Sequence, residues 1–130
     1  MKETREWLID EYPLMFRPSL ACLLGLNDAV FLQQVQDSIS SAEPHGFEKT
    51  FHEGRWWICR SVPSFKAVSF QFWSEPEIRR IIARLTKKGI LITGHLAQDP
   101  MDRSNWYAID DDALYSLEQK DAEEVMNGNK

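Results

Sequence analysis

Five cations fall within ten residues of this chain: Arg79, Arg80, Arg84, Lys87 and Lys88. Guanidinium and ammonium groups in such a cluster suit one kind of chemistry above others. They pair with phosphate oxygens as charge-assisted donors, and an arginine can bond two acceptors on a guanine edge. Arg80, Arg84 and Lys87 stand at i, i+4 and i+7, which aligns them along one side of a helix. Ser74-Glu75-Pro76-Glu77 announces that helix, being an S-x-x-E capping box with a proline in the tolerated first turn. Behind it Ile78, Ile81, Ile82 and Leu85 form an apolar stripe that must face a core. The opposite face is centred on Pro76, Arg80, Ala83 and Lys87, with Arg79 and Arg84 on its shoulders. Between Ser74 and Lys88 there are five basic and two acidic residues, a net charge of +3. Such a helix fits a DNA major groove about 12 Å wide. Taken alone, the same row also describes a solvated helix whose cations complement its C-terminal dipole. The neighbouring elements decide between the two.

Other chemistries find little support. His45, His52 and His95 have no ligand spacing, and Cys59, seven residues after His52, fits no zinc pattern. There is no Walker A loop, no G-x-S-x-G elbow and no G-x-G-x-x-G turn. Asp110-Asp111-Asp112 reads as a first helical turn complementing the dipole, facing several directions, rather than as a metal cluster. The expectation is a binding protein, not an enzyme, with no catalytic residue, no metal and no cofactor. Cys22 and Cys59 read as buried thiols of a reducing cytosol. Of Trp7, Trp56, Trp57, Trp73 and Trp106, most should fill the core. One of Trp56 and Trp57 must point away from it if their strand alternates.

The elements around the cationic helix suggest how it is held. Pro18 to Leu24 is a short helix stopped by Gly25, and Asn27 caps a longer one from Asp28 to about Ser40. Residues 41–54 read as a loop, and Arg55 to Arg60 as a strand of clustered aromatic and β-branched residues. Ser61 caps a short helix from Val62 to Phe70, separated by Gln71-Phe72-Trp73 from the cationic helix, which Gly89 ends. Ile90 to Thr93 and Asn105 to Ile109 form a β-hairpin whose tip carries Arg103, a candidate for phosphate. A last helix opens at Asp110. Two short helices, a tight turn and a hairpin indicate a winged helix-turn-helix. The fold expected is therefore α+β, with a small antiparallel sheet of three strands and extra N- and C-terminal helices.

Length and charge fit one such unit. At 130 residues the chain makes a single domain with a sufficient core of its own. Residues 1–12 read as an N-terminal arm or helix, 13–118 as the winged-helix domain and 119–130 as an acidic, frayed tail. No apolar run reaches the roughly 20 residues of a membrane helix, so no membrane partner and a cytoplasmic location are expected. The net charge of −5 hides a division. Residues 1–53 and 110–130 each carry −5, whereas 54–109 carry +5. A basic middle between acidic flanks can offer one positive face while the molecule stays acidic overall.

The order and spacing of several segments resemble the N-terminal domain of phage and plasmid replication initiators, the replisome organiser family. They include Pro18-Ser19-Leu20-Ala21, Gly25-Leu26-Asn27-Asp28-Ala29 and Gly54-Arg55-Trp56-Trp57-Ile58. They continue through Phe72-Trp73-Ser74-Glu75, Ile78-Arg79-Arg80-Ile81-Ile82 and Lys88-Gly89-Ile90-Leu91-Ile92 to Asp102-Arg103-Ser104-Asn105-Trp106-Tyr107. The likeness spans roughly residues 13–118. It implies a winged helix that binds double-stranded origin DNA, as a homodimer or larger assembly, together with replication proteins of the phage or host. Carried over by position, Ser74, Arg79 and Arg80 match the recognition helix, and Arg103 the wing. The chain departs from the family at Pro76-Glu77, where a basic residue and a threonine are usual. Joined with the residue reading, the expected DNA-contacting set is Ser74, Arg79, Arg80, Arg84, Lys87, Lys88 and Arg103. A protein-binding module on the same fold, such as a phage-encoded inhibitor or adaptor that has lost DNA binding, is the alternative.

Overall fold

The computed structural model describes residues 13–40, 48–96, 99, 101 and 104–128. The expected arm, residues 1–12, and the hairpin-tip cation Arg103 lie outside these. In chain order the described elements are α1 (Pro18–Leu24), α2 (Leu26–Ser40), β1 (Glu48–His52), β2 (Arg55–Cys59), α3 (Val62–Val68), α4 (Glu75–Lys87), β3 (Leu91–Gly94), β4 (Trp106–Ile109) and α5 (Asp111–Gly128). The class is α+β, as expected, with five described helices and one antiparallel sheet of strand order β1-β2-β4-β3.

Local chemistry accounts for the helix ends. The Ser61 hydroxyl accepts from the Ser64 N–H at 3.2 Å and opens α3, with Pro63 in the first turn. Ser74 does the same for α4, accepting from the Glu77 N–H at 3.2 Å. At the other end of α4 the Gly89 N–H reaches the Thr86 carbonyl at 3.0 Å and the Ile90 N–H the Leu85 carbonyl at 3.1 Å. These two bonds form a Schellman motif, which needs φ > 0 at its penultimate residue; Gly89 supplies it with φ 77°. Asp110 caps α5 through its carboxylate, which accepts from the Ala113 N–H at 3.1 Å.

One face of the sheet and four of the helices enclose the core. Phe31 of α2, Phe65 of α3 and Phe70 beyond it are fully buried and meet at ring separations of 5.2–6.0 Å. Ile78, Ile81 and Leu85 of α4 join them, as do Ile58, Leu91, Tyr107 and Ile109 from the sheet. Burial pushes the Tyr107 phenol up from its ordinary value. The other face of the sheet holds a smaller cluster of Trp57, Trp106 and Ala108, with Cys59, Ile92 and Leu96 packed against it. Trp56 and Trp57 point to opposite faces, as expected of a strand, but Trp57 is the one turned away from the main core and is buried in this second cluster, while Trp56 is exposed.

Several expectations need correction. The stretch read as a loop from 41 to 54 contains β1, which pairs with β2 from Glu48↔Cys59 to His52↔Arg55. The sheet therefore has four strands, not three. Glu-Lys-Thr-Phe-His is a polar edge strand without the apolar alternation of a half-buried one, so its partner rather than its composition makes it a strand. Glu53 and Gly54 close that hairpin with φ of 51° and 83°, the geometry of a two-residue type I′ turn. Asn27 is not a cap: α2 begins at Leu26, with only Gly25 between it and the end of α1, and the Gly25 carbonyl already accepts from the Ala29 N–H. Cys22 is exposed rather than buried, because α1 turns Leu20 and Leu24 inward instead.

Candidate nucleic-acid interface

Helix α4 turns its three fully buried residues, Ile78, Ile81 and Leu85, toward the core, and Ile82 packs at the margin of that stripe. The opposite face is therefore solvent-facing by geometry. Pro76, Arg79, Arg80, Ala83, Arg84, Lys87 and Lys88 are all exposed there. Arg79 and Arg80 leave 58% and 60% of their side chains accessible. Five of the seven expected contact residues thus share one helix face or its C-terminal end, with Ser74 at its N-terminus.

The electrostatics of this face are partly satisfied from within. Arg79 donates to Glu75 at 3.2 Å, one turn earlier, and Arg80 to Glu77 at 2.9 Å. Both are solvent-screened surface pairs of helix neighbours and so only weakly held, and a phosphate can displace either carboxylate. The bond from Arg80, with a weaker contribution from Arg84, holds the Glu77 carboxyl below its ordinary range. Glu77 thus spends its side chain on arginines, while the Ser74 half of the expected capping box is formed.

Arg84 is held differently. Its Nε donates to both carboxylate oxygens of Asp28, at 3.2 and 3.1 Å, and its Nη2 to Oδ1 at 2.7 Å. Asp28 is only 3% exposed, so this bidentate pair fastens the first turn of α2 to the last turn of α4. The hydrogen bonds that Arg84 donates to Asp28 raise its pKa against the opposing effect of desolvation. Arg84 consequently acts as a clamp between helices with part of its side chain still accessible. Lys87 and Lys88 make no ion pair among the described residues, and they form the unencumbered cationic end of the face.

Two features went unread in the sequence. Asp28 lies in line with Phe31, Leu32 and Val35, all buried on one side of α2. A carboxylate on an apolar stripe demands a cation, and that was the available signal. Lys66 of α3 was the other: its Nζ donates to the carbonyls of Gln71 at 3.2 Å and Trp73 at 2.7 Å, bracing the turn before α4. Comparisons with protein-family models, with curated proteins and with solved structures return no match. No group of three or more metal-ligating side chains occurs among the described residues, and no described helix is long and apolar enough to cross a membrane.

Proposed function

We propose that this chain is a winged-helix protein of a phage or plasmid that binds double-stranded DNA through α4 and acts in replication initiation or its regulation. The observation carrying the proposal is the outer face of α4, which sets Arg79, Arg80, Lys87 and Lys88 over a fully buried isoleucine–leucine stripe. The order α3, braced turn, α4, then the antiparallel pair β3–β4, supports reading α3 and α4 as a helix-turn-helix and β3–β4 as its wing. The role in replication rests on the resemblance to replisome organisers. In this reading Arg80 and Arg79 approach base edges, Lys87 and Lys88 hold phosphates, and the Ser74 hydroxyl remains able to donate to phosphate while it accepts from Glu77. Arg103 would add a contact from the wing. The protein surface covered should be about 600–1,000 Å².

Anisotropy of a labelled duplex of mixed sequence, titrated at several salt concentrations, tests this. The expected result is micromolar or tighter binding at low salt. Four phosphate contacts would make log K fall against log salt with a slope of roughly −3 to −4. Absence of binding at low salt would overturn the proposal. It would favour the second reading, a protein-binding module on the same fold, which the carboxylates already paired with Arg79, Arg80 and Arg84 support.

A further inference from the structure

The turn between α3 and α4 displays an aromatic ring that the core does not need. Phe72 is 62% exposed, although Phe70, two residues earlier, is fully buried. Its ring stands edge-on to Phe70 at 6.2 Å and to Trp73 at 4.9 Å, so a fixed aromatic platform supports it. The backbone on either side is pinned. The Lys66 ammonium binds the carbonyls of Gln71 and Trp73, which flank Phe72, and the Gln71 amide donates back to the Ala67 carbonyl at 3.1 Å. The Trp73 N–H donates to the Phe70 carbonyl at 3.1 Å. A large apolar side chain held outward on a braced turn has lost its conformational freedom in advance, which is how binding anchors are built.

Its position indicates the ligand. Phe72 precedes the α4 N-cap by two residues and the exposed Pro76 follows it by two, so both stand at the same end of the helix. When a helix enters the major groove, its N-terminal residues meet the base edges. Neither phenylalanine nor proline can bond a base edge through its side chain. The apolar feature that edge offers is the thymine C5-methyl group. Arg79 and Arg80 lie one turn further on, on the same exposed helix, and in the DNA-binding reading they approach base edges of the same groove. We infer that Phe72 is an apolar anchor that packs on thymine methyl groups in the major groove beside α4, biasing the protein toward thymine-containing sites. The inference rests on the DNA-binding reading above.

The test uses the full chain and one mixed-sequence duplex made in two forms, with thymine or with uracil, which lacks only the methyl group. Wild type should bind the uracil duplex about three- to fivefold more weakly, the effect of losing a buried methyl contact. Phe72→Ala should lose a similar factor on the thymine duplex and show no preference between the two. Phe72→Leu should keep part of the preference, and an unchanged urea midpoint in both variants would exclude a folding effect. Equal binding of Phe72→Ala and wild type, or an equal loss on both duplexes, would overturn the methyl contact. If Arg80→Ala still weakens binding in that case, the DNA-binding reading stands without it. Wild type failing to bind either duplex at low salt would overturn both. Phe72 would then be an anchor for a protein.

Discussion

Asp28 and Arg84 hold each other across 56 positions of sequence, and the two ends of that pair are not equivalent. The carboxylate is buried, whereas the arginine side chain keeps 44% of its surface. Removing the cation strands a charge in the interior; removing the anion lets the arginine turn to water. Arg84→Met should therefore cost about 3 kcal/mol in urea unfolding, and Asp28→Asn about half as much. Asp28→Asn also frees a cation on the α4 face, so it should strengthen DNA binding at low salt and steepen its salt dependence by about one contact. Glu77 allows a pH test at the same scale. Its folded pKa is depressed by Arg80 and Arg84, so the stability from these pairs is present above the unfolded value. It is lost as pH falls through the lower folded value. The difference in urea midpoint between wild type and Glu77→Gln should hold at neutral pH and shrink between about pH 5 and 3. Added salt should shrink it too, because the groups are solvent-facing.

At the level of elements, the most legible parts of the sequence carried their own boundary chemistry. Helices α3 and α4 follow from Ser61, Ser74 and Gly89 with the spacing of Ile78, Ile81 and Leu85 between them, all local in sequence. Ser74→Ala should cost about 1 kcal/mol, measured as a lower urea midpoint. Gly89→Ala should cost about as much, because open space surrounds the position and only the φ of 77° is penalised. Strand β1 was illegible for the opposite reason. Its five residues are mostly polar, and only the neighbouring Arg55–Cys59 strand makes them extended. The start of α2 was misplaced because a single residue, Gly25, both ends one helix and begins the next. Of the candidate interface, the cations of α4 could be read from their spacing. The carboxylate that occupies Arg84 could not, since nothing local connects α2 to α4.

Across the whole molecule, charge is segregated. The cationic face of α4 belongs to a protein of net charge −5, and α5 carries Asp111, Asp112, Glu118, Asp121 and Glu123 on exposed positions. Long-range repulsion from such a helix slows approach to a polyanion and is screened by salt. A Glu118→Gln, Asp121→Asn and Glu123→Gln triple variant should raise the association rate on DNA several-fold at about 0.05 M salt. It should converge with wild type near 0.5 M, read by stopped-flow anisotropy. The strand order β1-β2-β4-β3 has a consequence of another kind. The last strand of the sheet to be synthesised, β4, occupies an interior position, pairing Tyr107 with both Ile58 and Thr93. While the chain emerges from a ribosome, the β1–β2 hairpin can close, but nothing joins it to β3 until Ile109 is out. The nascent protein therefore leaves Trp57 and Ile58 without their β4 cover from their own synthesis until that of Ile109, then hides them when four late residues slide between two waiting halves.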